Sequence, residues 1–318
     1  MVIDLMKNEF PGLTSDLTKV KRLMKTSVVL KNEPVKNAIF DIFDAGGKML
    51  RPAYLLLFAE FTDLKSEQRI ALAAAIEMLH TATLIHDDIV DRADTRRGAV
   101  TISAKYGDDV AVYAGDYLFV SVFKTLSKHS LDLSNLTEQT ESIERLLGGE
   151  LGQMTLRYDL TQTIDDYIAN ISGKTAELFA MSCTIPVLID GNKRLSKLAY
   201  EIGKNIGIAF QVMDDYLDYA ADEEKLGKPV LEDMQQGVYS APILFGLQAE
   251  PERLSALLTQ QKFTEIPALL TETDALLKTK ELAQSYTERA MKLISKLPAS
   301  DTTTKISFLT KKLLERDY

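Results

Sequence analysis

Cysteine is nearly missing from this sequence: Cys183 is the only one in 318 residues. A disulfide within the chain is therefore excluded, and a reducing, cytoplasmic setting is the expectation. Histidine numbers only three, too few with one cysteine for a zinc site. Nine prolines and sixteen glycines are also few, which leaves room for long helices. No apolar run approaches the roughly 18–20 residues needed to span a bilayer. The opening "MVIDLMKNEFPGL" lacks the basic-then-apolar layout of a secretory signal. Positive charge is in deficit, with a formal net charge of −9. That disfavours a nucleic-acid binder, whose phosphate contacts need lysine and arginine in excess. What remains, 46% apolar and 26% charged residues, is the composition of an ordinary folded soluble protein.

Most of the chain reads in helical period, with apolar residues at steps of three and four. The stretches "RIALAAAIEMLHTATLIHDDIVDRA", "DYLFVSVFKTLSKH", "SIERLLGGELGQMTLRY", "YIANISGKTAELFAMSC" and "KLAYEIGKNIGIAFQVMDDYLDYA" are helix candidates. No alternating strand run bounded by hairpin turns stands out. The expectation is an all-α protein, one continuous domain over 1–318, helical but chemically bland after about Glu250.

Acidic residues carry the first chemical signal. A helix advances about 100° per residue, so Asp87 and Asp91 face one way, with Asp88 on the rim. Three acids so close repel unless a cation lies among them. Hard divalent ions such as Mg²⁺ take a few carboxylates, several waters and substrate phosphate oxygens. One such triplet is compatible with a solvated helix face. The same pattern recurs as Asp214, Asp215 and Asp218 in "FQVMDDYLDYA", again after a long apolar helix, and the pair favours a metal site. Two internal controls lack the third acid: Asp108 with Asp109, and Asp165 with Asp166. Both stand where helices should begin and read as caps. A di-iron site on Glu77 and His80 would need a second Glu-x-x-His, and His86 and His129 have no glutamate three residues before them.

Cations among acids imply an anionic ligand, and basic residues lie in short motifs that could hold one. They are Lys48 and Arg51 in "GGKMLRP", Arg96 and Arg97 in "TRRG", Lys174 beside Thr175 in "SGKTAEL", and Lys228 in "LGKPVLED". His80 precedes Asp87 by seven residues on nearly the same helix face. One group accompanies the acids and one stands apart, which suggests two phosphate-bearing substrates.

The chain resembles the trans-isoprenyl diphosphate synthases, or polyprenyl synthetases. The ordered signature is "GGKMLRP", "LHTATLIHDDIVDRADTRRG", "AGDYL", "GELGQM", "GKTAEL", "FQVMDDYLD" and "GKPVLEDMQQG". The resemblance implies a large single-domain helical bundle of the isoprenoid synthase type with a central cavity. It implies a prenyltransferase that ionises an allylic diphosphate, lets isopentenyl diphosphate attack the cation, and loses a proton to the departing pyrophosphate. Three Mg²⁺ ions are implied, with Mn²⁺ as a substitute. By motif, Asp87, Asp88 and Asp91 resemble the first metal-binding motif, and Asp214, Asp215 and Asp218 the second. Lys48, Arg51, His80 and Arg97 are similar to an isopentenyl diphosphate clamp. Arg96, Lys174 and Lys228 are similar to ligands of the allylic diphosphate, and Thr175 and Gln211 to polar residues near the developing cation. Asp233 resembles a supporting acid. The catalytic set so implied is Asp87, Asp88, Asp91, Lys174, Thr175, Gln211 and Asp214. Met49 departs from the family pattern, as do Leu231, Glu232, Val238 and Ser240, and the last two put a direct phosphate contact there in doubt.

Product length is expected to follow from Ala82 and Thr83, the latter one turn, about 5.4 Å, before Asp87. In the family, bulky aromatics at these positions floor the cavity; here both residues are small, which implies a product longer than farnesyl, such as a quinone side chain. The competing expectation is that Phe119 or Phe123 supplies the floor, giving a geranylgeranyl or farnesyl diphosphate synthase. The resemblance also implies a homodimer, or a heteromer with a small subunit, and transient membrane contact at product release. A class I terpene cyclase shares DDxxD, but "DDYLD" is not its second metal motif. A regulatory subunit has no need for both acid triplets.

Overall fold

A computed structural model describes residues 9–45, 47–96, 98–129, 133–220 and 233–314. Helix dominates, as the periodicity implies; among the described residues the only strands are two residues each. By backbone contacts the chain divides into two compact units.

The first unit comprises Met1–Gln139 and Met181–Ala199. Helix α1 (Pro11–Ser27) opens on a proline, which needs no amide partner there, and buries Leu17, Val20 and Met24 at one-turn spacing. Helix α2 (Glu33–Asp44) is capped by Asn32, whose side chain accepts from the Val35 amide. Helix α3 (Leu50–Ala59) follows a left-handed Met49 and is buried from Pro52 to Ala59. Helix α4 (Ser66–Val90) is the long element, 25 residues, or about 37 Å at 1.5 Å per residue. Its stretch from Ile70 to Leu79 is buried all round, and α1, α3 and α6 pack along it. Its alanines at 71, 73, 74 and 75 let those neighbours approach.

Beyond Leu79 burial becomes one-sided: Ala82, Thr83, Ile85 and Asp88 are buried, while His80 and Asp87 are half-exposed. The helix stops at Val90, three residues before the end of the stretch read as helical. Asp91 caps it, and Arg92 turns left-handed with φ 52°. Strands β1 (Thr95–Arg96) and β2 (Ala99–Val100) then pair antiparallel, with Gly98 at φ 80° between them. Helix α5 (Ile102–Tyr106) is capped by the Thr101 hydroxyl, and α6 (Asp108–His129) follows.

The second unit comprises Thr140–Ala180 and Tyr200–Tyr318. It holds most of α7 (Leu133–Thr155), all of α8 (Ile164–Ile171), a π-helical turn (Ser172–Ala176), the start of α9 (Glu177–Ile189) and most of α10 (Lys193–Ala220). Helices α11 (Ala241–Ala249), α12 (Pro251–Thr259), α13 (Ile266–Glu272), α14 (Ala275–Ile294) and α15 (Asp301–Leu314) complete it. The bland C-terminal stretch is helical as expected, and its role is core. Leu254, Ile266 and Leu270 join Tyr167, Val212 and Ile243 in one buried cluster.

Two close helix crossings set the register of this unit. A Cβ on Gly203 would lie 2.5 Å from the Phe179 carbonyl oxygen, and one on Gly207 2.5 Å from the Ala176 Cα. Glycines four apart on α10 thus let it lie directly on the end of the π turn and the start of α9. A Cβ on Gly149 would lie 2.3 Å from the Lys174 amide nitrogen, so α7 touches the π turn backbone to backbone. The Asn170 amide secures that contact by donating to the Gly149 carbonyl at 2.9 Å.

Candidate active site

In the first unit the acids cluster at the end of α4. Asp91 lies one turn after Asp87, its amide donating to the Asp87 carbonyl at 2.8 Å. Asp88 points inward, 3% exposed, and its carboxylate receives the Arg96 Nε at 2.7 Å. Burying a carboxylate is costly without such a partner, so the β1–β2 ribbon that carries Arg96 is tied to the triplet. The Thr101 hydroxyl reinforces the loop by donating to the Ala93 carbonyl at 2.7 Å. Lys48 is exposed and Arg51 half-buried at the start of α3, the helix packed against α4. The Thr83 hydroxyl donates to the His80 carbonyl at 2.9 Å. Arg97 lies outside the described residues, as do Lys228, Leu231 and Glu232.

His86, which lacks the spacing of a metal ligand in the sequence, has a packing role in the first unit. Its ring stacks on Phe119 at 5.7 Å between centroids, and its Nε2 is 3.4 Å from an Asp116 carboxylate oxygen. A Cβ on Gly115 would sit 2.3 Å from that nitrogen. The glycine of "AGDYL" therefore makes room for the residue that precedes the first triplet.

In the second unit the Thr175 hydroxyl donates to Gln211 Oε1 at 2.9 Å, and Gln211 Nε2 donates to Asp215 at 2.8 Å. The Tyr167 hydroxyl donates to the other Asp215 oxygen at 2.6 Å. Tyr167 was not singled out from sequence, although it follows the acid pair of "TIDDYIAN"; its signal is only a buried position on the α8 face. Burial and the Asp215 charge push its own pKa well up. Of the control acids, Asp166 caps α8 by accepting from both the amide and the hydroxyl of Thr163, and Asp165, Asp108 and Asp109 stand in the first turns of α8 and α6.

Lys174 sits in the π turn rather than in a regular helix. Such turns recur at functional sites. Its ammonium contacts Glu150 at 2.8 Å and Gln153 at 2.8 Å, both on α7.

Loss of hydration, then the charges of neighbouring acids, pushes Asp215 up to about 7 against the pull of Tyr167 and Gln211. Loss of hydration, then Asp214 and Asp233, pushes Asp218 up to about 6. Among the described residues no three His, Cys, Asp or Glu side chains cage a metal by themselves. The side chains of each triplet, Asp87, Asp88 and Asp91 in the first unit and Asp214, Asp215 and Asp218 in the second, are all carboxylates, the chemistry of a hard cation completed by water and phosphate. A carboxylate raised in the folded state favours folding below its unfolded value, near 4, and that contribution is lost as pH rises through 6 to 7. The metal-free protein should lose stability over this window, and a divalent cation should restore more at pH 8 than at pH 5.5. Cation binding should also expel protons. Thermal melts with and without Mg²⁺ at both pH values check this; an equal Mg²⁺ shift at both would refute it.

The sequence model of the polyprenyl synthetase family matches residues 32–272. The chain belongs to the polyprenyl synthetase family. It is therefore a prenyltransferase, of the class that makes polyprenyl diphosphates. Among its relatives is heptaprenyl diphosphate synthase component 2 of Geobacillus stearothermophilus, 32% identical over 98% of this chain and 99% of the relative. A geranylgeranyl pyrophosphate synthase from Lactobacillus brevis superposes with a TM-score of 0.94 at 39% identity, covering 99% and 100% of the two chains. A polyprenyl synthase from Caulobacter crescentus, solved with calcium and isoprenyl diphosphate, superposes with a TM-score of 0.87 at 28% identity, covering 99% and 97%. The family is generally metal-dependent, and its enzymes join an allylic diphosphate to isopentenyl diphosphate. Among the described residues no helix is long and apolar enough to cross a membrane.

Proposed function

We propose that this polyprenyl synthetase extends an allylic diphosphate with isopentenyl diphosphate to a trans-polyprenyl diphosphate longer than fifteen carbons, using Mg²⁺. The observation that carries the length is the small, buried pair before the first triplet. Ala82 is fully buried and Thr83 is 8% exposed. The Thr83 hydroxyl is already bonded to the His80 carbonyl. Neither residue offers bulk or an unmet polar group to a growing hydrocarbon. The heptaprenyl and geranylgeranyl enzymes named above support the same direction.

Asp87, Asp91, Asp214 and Asp218 would hold Mg²⁺, with Asp88 and Asp215 steadied by Arg96 and by Tyr167 with Gln211. The bound ions supply Lewis acidity toward the departing diphosphate. By motif, Lys174, Arg96 and Lys228 are assigned to the allylic diphosphate, and Lys48, Arg51, His80 and Arg97 to isopentenyl diphosphate. The Thr175 hydroxyl donates its proton to Gln211, which leaves its lone pairs to face positive charge. The proton lost from isopentenyl diphosphate goes to the leaving pyrophosphate. The chain acts in the cytoplasm as a catalytic homodimer, with transient membrane contact at product release.

Purified chain is incubated with farnesyl diphosphate, or shorter primers, plus isopentenyl diphosphate and Mg²⁺, and the products are sized. Products longer than C15 are expected from the chain alone. Mainly C15 or shorter products would overturn the length. Synthesis only after a second subunit is added would overturn the homodimer.

A further inference from the structure

We propose that Glu177 is a positioning residue: its ion pair with Arg145 and hydrogen bond from Tyr200 fix the π turn that presents Lys174 and Thr175. This rests on the reading of Lys174 as a ligand of the allylic diphosphate. Glu177 begins α9 directly after the π turn and is 3% exposed. Both of its carboxylate oxygens are engaged. Arg145 on α7 donates its Nε to Oε1 at 2.9 Å and holds the same oxygen from a terminal nitrogen at 2.8 Å. Tyr200 on α10 donates its hydroxyl to Oε2 at 2.7 Å. Arg145 is fixed in turn by donating to the Ser142 hydroxyl at 2.8 Å.

Each tied helix carries a group of the site. Helix α7 brings Glu150 and Gln153 to Lys174. Helix α10 brings Gln211 to Thr175. A π turn has weaker intrinsic support than an α-helix and persists where its surroundings hold it. On its N-terminal side that support is the Gly149–Gly173 backbone contact. On its C-terminal side it is the carboxylate of Glu177. A buried acid placed between an arginine and a tyrosine from two other helices sets a register that an apolar residue would leave free to slide. Nothing in the reaction requires Glu177 to touch substrate.

The test uses Glu177→Gln, which keeps shape and removes charge, with Tyr200→Phe as a milder variant on the same carboxylate. For Glu177→Gln we expect the KM for the allylic diphosphate to rise about tenfold, the size of effect seen when supporting partners are removed. The KM for isopentenyl diphosphate should stay within twofold, by the same reasoning. Inorganic pyrophosphate with Mg²⁺ should bind more weakly by calorimetry. Amides of residues 172–176 should exchange hydrogen faster, and Tyr200→Phe should move each readout the same way by less. A lower Tm with wild-type KM values, wild-type pyrophosphate affinity and unchanged exchange at 172–176 would reduce Glu177 to a stability role and overturn the proposal. Should the wild type transfer no prenyl group, the functional reading fails first, while exchange at 172–176 still decides whether Glu177 holds the turn.

Discussion

Asp87→Ala lowers kcat by about a hundredfold or more, the scale of losing one stabiliser of a developing charge, and leaves the fold intact. Asp87 is half-exposed at the end of α4, so truncating it opens no hole in the core. The loss should deepen at low Mg²⁺ and ease as Mg²⁺ is raised, because the remaining acids can be driven to saturation. Asp88 separates the two kinds of acid in the triplet. It is buried against Arg96, so Asp88→Ala strips a cation of its partner and should cost about 1–3 kcal/mol of stability as well as activity. Isopentenyl incorporation across a Mg²⁺ series, with circular dichroism melts, distinguishes the variants. Unchanged turnover in Asp87→Ala would refute the metal role.

Gly149→Ala is the second large effect, and Gly148→Ala is its control. A methyl at Gly149 would meet the Lys174 amide at 2.3 Å and the Gly173 backbone within 2.9 Å. Backbone cannot rotate away as a side chain can, so α7 must lift from the π turn, at a cost of about 1–3 kcal/mol or more. At Gly148 an added methyl meets nothing within 4 Å; alanine there should stabilise the helix by about 0.5–1 kcal/mol. Urea unfolding of the two variants should therefore move in opposite directions. The Gly149 variant should also bind allylic substrate poorly, because Lys174 moves with the turn. Equal midpoints for the two variants would show that the contact has slack.

Spacing made both acid triplets legible, because a period of 3.6 residues is a property of the sequence itself. The same logic recognised Asp165 and Asp166 as caps, and Asp166 forms that cap with Thr163. It could not find Tyr167, His86 or Glu177. Each works through a partner far away in the chain: Asp215, Gly115 and Arg145 lie 48, 29 and 32 residues away respectively. Helical pattern links residues three or four apart and says nothing of such pairs. The end of α4 is illegible in the sequence for another reason. Arg92 is a good helix former by propensity, and only its left-handed backbone, φ 52°, stops the helix. The stretch "YIANISGKTAELFAMSC" reads as one helix because its apolar period is unbroken; its π turn lies against Gly149 and Gly207, both outside the stretch.

That turn bears on how the chain tolerates changes in length. A π turn closes i→i+5 where its neighbours close i→i+4, so it holds one residue more than a regular turn. Removing one residue between Ser172 and Ala176 should let α8 run straight into α9 with better hydrogen bonding. The price is rotation of everything on one side by about 100°, which parts Lys174 or Thr175 from its present neighbours. The number of residues in "SGKTA" is thus as much a functional character as their identity, and a shortened chain would gain helix while losing its site.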